Sequence, residues 1–374
     1  MPLRPGRLPG VVWGRRVRTV QSAHMDLFDV RRRLEAFEAT LSPYAARSTT
    51  SRGRKRPEPP SPLRLEFQRD RDRILHTKAF RRLKHKTQVF IAPAQDHFVT
   101  RLTHTLEVAQ VARTIARALN LNEDLAEAAA LGHDIGHGPF GHAGEEALAE
   151  CLPEGFRHNY QSVRVLDRLE NGGRGLNLTF EVLDAVEKSS KAREDIFAEG
   201  WGVPVTLEGQ VVKTADAIAY LNHDILDAVR AGIITEDDLP DSTKRLIGRS
   251  HAERLDTLIC DIVEASWAAT GAGPDPVIRF SPAIHAAANE LREFMFERVY
   301  LYDTTRREAE RGKRIVRFLF EHFVRHPEGI SPDYSLPEDP VERRAADYVS
   351  GMTDRFAIRL AASLGCPDAI GWQV

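Results

Sequence analysis

From Leu65 onward, apolar residues recur at three- and four-residue spacing almost without interruption, and alternating β-branched runs are scarce. The pattern predicts helices over 65–85, 102–119, 123–134, 143–151, 159–170, 179–189, 208–231 and 243–270, and therefore an all-α fold. A stretch containing Gly and Pro, 271–276, closes this series, and a C-terminal helical region follows over roughly 281–364. Upstream, residues 26–40 have helical spacing, and 42–62 shift to Ser, Arg and Pro, including Arg52, Arg54, Lys55 and Arg56, which reads as an extended arm. Residues 1–24 carry Arg4, Arg7, Arg15, Arg16 and Arg18 with no acid and no apolar periodicity, so they are expected to be disordered. Such a start resembles an organelle transit peptide; an upstream-start extension is the plainer reading. The expected organisation is a tail (1–24), an N-terminal helix and arm (25–64), a helical core (65–270) and a C-terminal helical region (271–374).

Composition narrows the class. A chain of 374 residues is long enough for about two domains. No stretch approaches the ~20 apolar residues of a membrane span, which argues against a transmembrane protein. Cys151, Cys260 and Cys366 are odd in number and lack C-x-x-C spacing. They predict neither a disulfide framework nor a thiolate zinc site, and a reducing cytoplasm fits them best. The 52 basic and 54 acidic residues nearly cancel, so no global field marks a nucleic-acid binder.

Chemistry concentrates between His104 and Asp224. His104, Val108, Val111 and Ile115 share one helical stripe, so His104 points where apolar side chains point. Alone, such a histidine is more often a hydrogen-bonded core residue than a ligand. The next helix begins at the N-cap Asn122 and runs through an Ala-rich segment to His133 and Asp134. With no basic residue nearby to pair the carboxylate, burying this dipeptide calls for something that neutralises it, and a divalent cation would do so. Residues 135–142 (IGHGPFGH) hold three glycines and a proline, cannot continue the helix, and read as a loop of close backbone approach. The loop ends at His142, just before a helix whose first turn carries Glu145 and Glu146. Further on, Asp216, Tyr220 and Asp224 fall at i, i+4 and i+8, on one face of a helix flanked by apolar residues. A solvated helix face is the bland reading of the last set; the clusters together favour a metal or acid–base site.

Several strings resemble a known family. His104, His133-Asp134 and Asp216 are spaced like the H…HD…D signature of the HD phosphohydrolase superfamily. The segments 48–56 (STTSRGRKR), 70–90 (DRDRILHTKAFRRLKHKTQVF), 101–108 (RLTHTLEV), 132–145 (GHDIGHGPFGHAGE), 156–162 (FRHNYQS), 175–182 (GLNLTFEV) and 346–357 (ADYVSGMTDRFA) resemble the dGTPase-like deoxynucleoside triphosphate triphosphohydrolases, over about 25–364. The resemblance implies an all-α HD core with an added C-terminal helical region. It implies one divalent metal held by His104, His133, Asp134 and Asp216, an N/O set suited first to Mn or Mg and also to Fe or Zn. It further implies hydrolysis of dNTPs to deoxynucleoside and inorganic triphosphate. His142 matches the acid for the 5′-oxygen, with Glu145 beside it; His158 and Arg101 match phosphate contacts; Gln88, Tyr220 and Asp224 match positions around the deoxyribose. One departure stands at 185–189 (AVEKS), where the family pattern has a histidine and Lys188 is expected to serve instead. An even-numbered homo-oligomer, a hexamer or tetramer, is expected from the family and from an arm that lacks its own core. Some members bind single-stranded DNA. Two other functions compete: an HD phosphodiesterase or nucleotidase on another ester, and a nucleic-acid-binding protein using the Arg-rich arm with its HD site as a relic.

Overall fold

The Ala-rich segment decides the centre of the fold. In a computed structural model that describes residues 27–88, 98–190, 202–334 and 336–372, it forms helix α5 (Glu123–Gly132), and Leu125, Ala126, Ala128, Ala129, Ala130 and Leu131 are all buried. Small side chains let neighbouring helices approach closely. The neighbours in contact are α2 (Glu66–Leu75), α4 (Arg101–Ala118), α9 (Phe180–Glu187) and α10 (Leu207–Arg230). Enlarging Ala129 to Leu would force overlap costing about 1–3 kcal/mol. Side-chain caps set the helix starts: Asn122 accepts from the Asp124 and Leu125 amides, Thr100 opens α4 by accepting from Thr103, and Thr206 opens α10 by accepting from Gly209.

The other helices are α1 (Leu27–Glu38), α3 (Lys78–Arg82), α6 (Gly141–Cys151), α7 (His158–Arg164), the short kinked α8 (Glu170–Gly173), α11 (His251–Ala265), α12 (Pro282–Met295), α13 (Asp303–Arg325), α14 (Val341–Ser350) and α15 (Asp354–Ser363). Among the described residues there are isolated β-bridges but no strand. The chain is all-α, as its periodicity indicates. Two expected helices are broken by caps. The helix over 65–85 stops at His76, and Thr77 then caps α3 by accepting from the Phe80 amide. The helix over 243–270 is interrupted at Gly248, whose φ is +141°, and restarts where Ser250 and Glu253 form a reciprocal capping box.

Buried apolar side chains form two clusters. The larger joins α2, α4, α5, α9 and α10 with α12, through Ile284, Ala287, Ala288, Leu291 and Met295. The smaller joins Phe140 and α6 to α13, α14 and α15. Chain order is thus not packing order. The stretch 271–276 does not separate the clusters, because α12 packs back on the first and α6 belongs to the second.

The arm lies on its own chain. Arg54 bonds Glu66, Asp70 and the Asn177 carbonyl, and Asp70 also accepts from the amide and hydroxyl of Thr179 at 2.8 and 2.7 Å. Arg47 donates to four backbone carbonyls between Glu38 and Ala45, Ser51 bonds Glu181, and Lys55 pairs with Asp167. The surface on which the arm lies is supplied by α2 and the start of α9 of the same chain, through charge pairs that local pattern cannot reveal. The tail 1–24 lies outside the described residues. No helix among the described residues is long and apolar enough to cross a membrane.

Candidate metal centre and active site

Three core helices deliver the first group of side chains. His104 comes from the first turn of α4, His133 and Asp134 from the end of α5, and Asp216 from α10. His104 Nε2 lies 3.1 Å from Asp216 Oδ1 and 3.8 Å from Asp134 Oδ2; His133 Nε2 lies 3.4 Å from Asp134 Oδ1 and 3.9 Å from Asp216 Oδ1. The four expected residues do converge.

The protonation pattern suits a cation. His133 Nδ1 is 2.6 Å from the Ala130 carbonyl, so its proton sits there, and the buried Nε2 has no hydrogen-bond partner among the described residues. A buried lone pair left unmatched beside two carboxylates is what a metal ligand looks like before metal is considered. Burial also pushes the His104 imidazole down, keeping it neutral. Burial opposes charge on Asp134, but its basic neighbours, the Arg101 guanidinium among them, outweigh it and hold the carboxyl well below the usual range. His104, His133 and Asp134 can hold one divalent ion, with Asp216 facing both imidazoles.

One expectation is overturned. Asp134 does have a basic partner: the buried Arg101 guanidinium donates to its Oδ2 at 2.7 Å. The two are far apart in sequence and meet because α4 begins against the end of α5. Arg101 keeps a second role open, since its Nε is buried without a partner among the described residues and its other terminal nitrogen faces the Gly141 backbone.

The second group sits on the loop. Gly136 touches α7 so closely that a Cβ there would fall 2.3 Å from the His158 carbonyl, which brings the start of α7 under the loop. His137 and His158 stack with centroids 3.8 Å apart, and His137 Nε2 is 3.3 Å from Asp134 Oδ1. His158 Nδ1 is 2.9 Å from Glu145, and His142 Nδ1 is 3.2 Å from the other oxygen of the same carboxylate. His142 is three-quarters exposed, whereas His158 and Glu145 are largely covered. Burial disfavours charge on both members of the inner pair, yet each overcomes it for the other: Glu145 is held well below its ordinary range by His158 and His142, and His158 is raised by Glu145. Burial, reinforced by Arg101 and His158, depresses His137 strongly. The loop thus presents a charged imidazole–carboxylate pair, a neutral imidazole and an exposed imidazole beside the first group.

The remaining expected residues are less uniformly placed. Gln88 Oε1 is buried with no partner among the described residues, next to residues 89–97, which lie outside them. Tyr220 packs against the large apolar cluster, and burial pushes its hydroxyl upward. Asp224 is buried, accepts from the Tyr300 hydroxyl, and faces His223. Lys188 bonds Asp184 at 2.5 Å at the end of α9, and no described contact joins it to either group.

Two side chains escaped sequence reasoning. His223 lies 2.8 Å from His104 Nδ1; its place seven residues after Asp216, on the same helical stripe, was a usable signal. Asp354, from the C-terminal region, accepts from the Thr87 and Phe140 amides at 2.9 and 3.0 Å and so grips the chain beside Gln88 and beside the His142 loop. Phe140 has a left-handed φ of +64°, and Gly312 of α13 leaves room for its ring, since a Cβ there would fall 2.9 Å from it. Lys86 adds a link, donating to the His137 and Ser350 carbonyls; burial, then Arg82 and Arg101, push its ammonium down to about 7.

Comparison with known proteins agrees with this geometry. Residues 101–221 match the HD domain, and residues 278–363 match the phosphohydrolase-associated domain. A deoxyguanosinetriphosphate triphosphohydrolase-like protein of Caldanaerobacter subterraneus subsp. tengcongensis is 50% identical over 85% of this chain and 90% of its own length. The chain belongs to the dGTPase-like triphosphohydrolase family. Like-named relatives from Desulfatibacillum aliphaticivorans and Clostridium tetani are 46% and 43% identical, over 85% and 92% of this chain and 92% and 99% of theirs. The HD match begins at Arg101 and ends just after Tyr220, so it encloses both groups of the site.

Proposed function

We propose that this member of the family is a metal-dependent hydrolase of deoxynucleoside triphosphates, releasing a deoxynucleoside and intact inorganic triphosphate. The observation that carries the reading is the buried His133 Nε2, without a hydrogen-bond partner among the described residues, facing the His104 imidazole and the Asp134 and Asp216 carboxylates directly beside an imidazole–carboxylate pair. A single divalent ion, Mn or Mg first and Fe or Zn as alternatives, would be held by His104, His133, Asp134 and Asp216. When bound, it would supply charge neutralisation at phosphate and lower the pKa of a coordinated water.

The chain's own residues do the rest. Arg101, on the floor beside Asp134, and the raised His158 offer positive charge to phosphate oxygens. Glu145 keeps His158 protonated and orients His142, which is exposed enough to reach a leaving 5′-oxygen and donate a proton to it. Gln88 and Asp224 offer polar atoms to a 3′-hydroxyl, and the Tyr220 ring closes the space where a 2′-hydroxyl would lie. Lys188 belongs to the phosphate tail only if it exchanges Asp184 for substrate. An even-numbered homo-oligomer in the cytoplasm completes the reading. Single-stranded DNA is a lesser partner, since Arg54 and Lys55 of the arm are already paired within the chain.

Product analysis tests the reading. Metal-loaded protein is incubated with each dNTP singly and then with mixtures, and products are resolved by ion-exchange chromatography. Deoxynucleoside plus triphosphate is expected. Release of pyrophosphate or monophosphate instead would move the chain to the phosphodiesterase or nucleotidase class.

A further inference from the structure

We infer that His223 is a positioning residue for the metal ligand His104, and that Asp224 holds His223 in turn. The inference rests on the metal-binding reading above. His104 Nε2 can face a cation with its lone pair only if the ring proton sits on Nδ1. For His133 the equivalent proton is fixed by its own helix, through the Ala130 carbonyl. His104 Nδ1 instead meets His223 Nε2 at 2.8 Å, with the rings almost perpendicular at 83°.

For His223 Nε2 to accept that proton, His223 must carry its own on Nδ1. That nitrogen lies 2.7 Å from Asp224 Oδ1, out of line for a hydrogen bond but close enough for the carboxylate to favour a proton there. The other Asp224 oxygen accepts from the Tyr300 hydroxyl, which fixes the carboxylate's orientation. All three residues, His104, His223 and Asp224, are buried to within 3% of completely, so water does not compete for these contacts. Helix α10 would therefore contribute twice: Asp216 would face the ion directly, and seven residues later His223 would aim a ligand from another helix. Removing an outer partner of this kind costs about 10–100-fold in metal affinity.

The test measures Mn²⁺ binding and not turnover. Full-length parent, His223→Leu, His223→Gln and His223→Asn are stripped with chelator and titrated with Mn²⁺ by calorimetry, with Tm recorded for each. Leu removes the acceptor and should weaken Mn²⁺ about 10–100-fold. Gln places an amide oxygen where His104 Nδ1–H can reach it and should recover most of the loss, whereas the shorter Asn should not. A purely structural histidine would lower Tm and leave affinity alone. Should the Leu variant fail to fold, the Gln and Asn pair decides. Parent-like affinity in folded Leu or Asn variants, or a Gln variant no better than Asn, overturns the inference. A parent that takes up no Mn²⁺ overturns the metal reading itself, a distinguishable result.

Discussion

The two halves of the candidate site are built on different principles. His104, His133, Asp134 and Asp216 project from three long helices packed through an alanine-rich seam, and three of them are almost wholly buried. His137, His142, Glu145 and His158 belong to a Gly- and Pro-rich loop and the two helix starts beside it, and His142 stands in solvent. All residues of the first group lie within the HD match. The second is steadied from outside that match, by Asp354 at Phe140, by Gly312 against the Phe140 ring and by the second apolar cluster. The buried group is thus made by helix packing, while the loop group is steadied by residues of the phosphohydrolase-associated domain. Rigid ligands suit a fixed ion; an exposed imidazole suits a group that must meet substrate.

The largest expected effect is on the buried half. Asp134→Ala should abolish bound metal and activity together, and chelation of the parent should reproduce the loss of activity reversibly. It also strands the Arg101 guanidinium, so destabilisation of about 3–5 kcal/mol is expected in denaturant titrations. Full metal occupancy in this variant would remove Asp134 from the ligand set.

On the loop side, His142→Ala should lower turnover by roughly 10² to 10⁴-fold with metal content unchanged. An unaltered rate would shift the proton donor to His158. Loss of metal along with activity would mean that the two halves are not separable.

Asp354→Ala tests whether the C-terminal region serves the loop alone. It leaves the Thr87 and Phe140 amides without their acceptor, for a destabilisation of about 1–3 kcal/mol. The expected split is lower kcat with unchanged Mn²⁺ affinity, read by steady-state kinetics and calorimetry on the same preparation. Parallel losses in both would erase the contrast between the halves.

The smallest effect is a pH signature. The depressed Glu145 contributes stability that is present above its unfolded pKa of about 4.3 and is lost as pH falls through the lower folded value. The raised His158 contributes stability that is complete below its unfolded pKa of about 6.5 and is lost as pH rises through the higher folded value. Both are in force between about pH 4.3 and 6.5, so the Tm gap between parent and Glu145→Gln should be widest there and should narrow on either side. In the same variant the alkaline limb of kcat/KM should move to lower pH if protonated His158 serves the reaction. A Tm gap independent of pH would show that the pair is not charged.

Much of this was open to reading from the chain. Three- and four-residue spacing established an all-helical protein, because burial of one stripe per helix leaves its period in the sequence. The Asn122 cap, the small residues of α5 and the glycines of 135–142 pointed to a helix that ends sharply in a close-packed loop, and it does. Spacing and family strings together picked out His104, His133, Asp134 and Asp216. Tertiary structure alone decided their partners. Arg101 meets Asp134, His223 meets His104, Arg54 meets Asp70, and Asp354 reaches Thr87 and Phe140 from the far end of the chain. Such pairs leave no periodic trace, because a charge or hydrogen bond joining distant segments depends on how helices pack, whereas a helix's own apolar stripe is a local repeat. The same reason explains the arm, whose Ser, Arg and Pro composition looked extended and unattached until α2 and α9 brought acids to it.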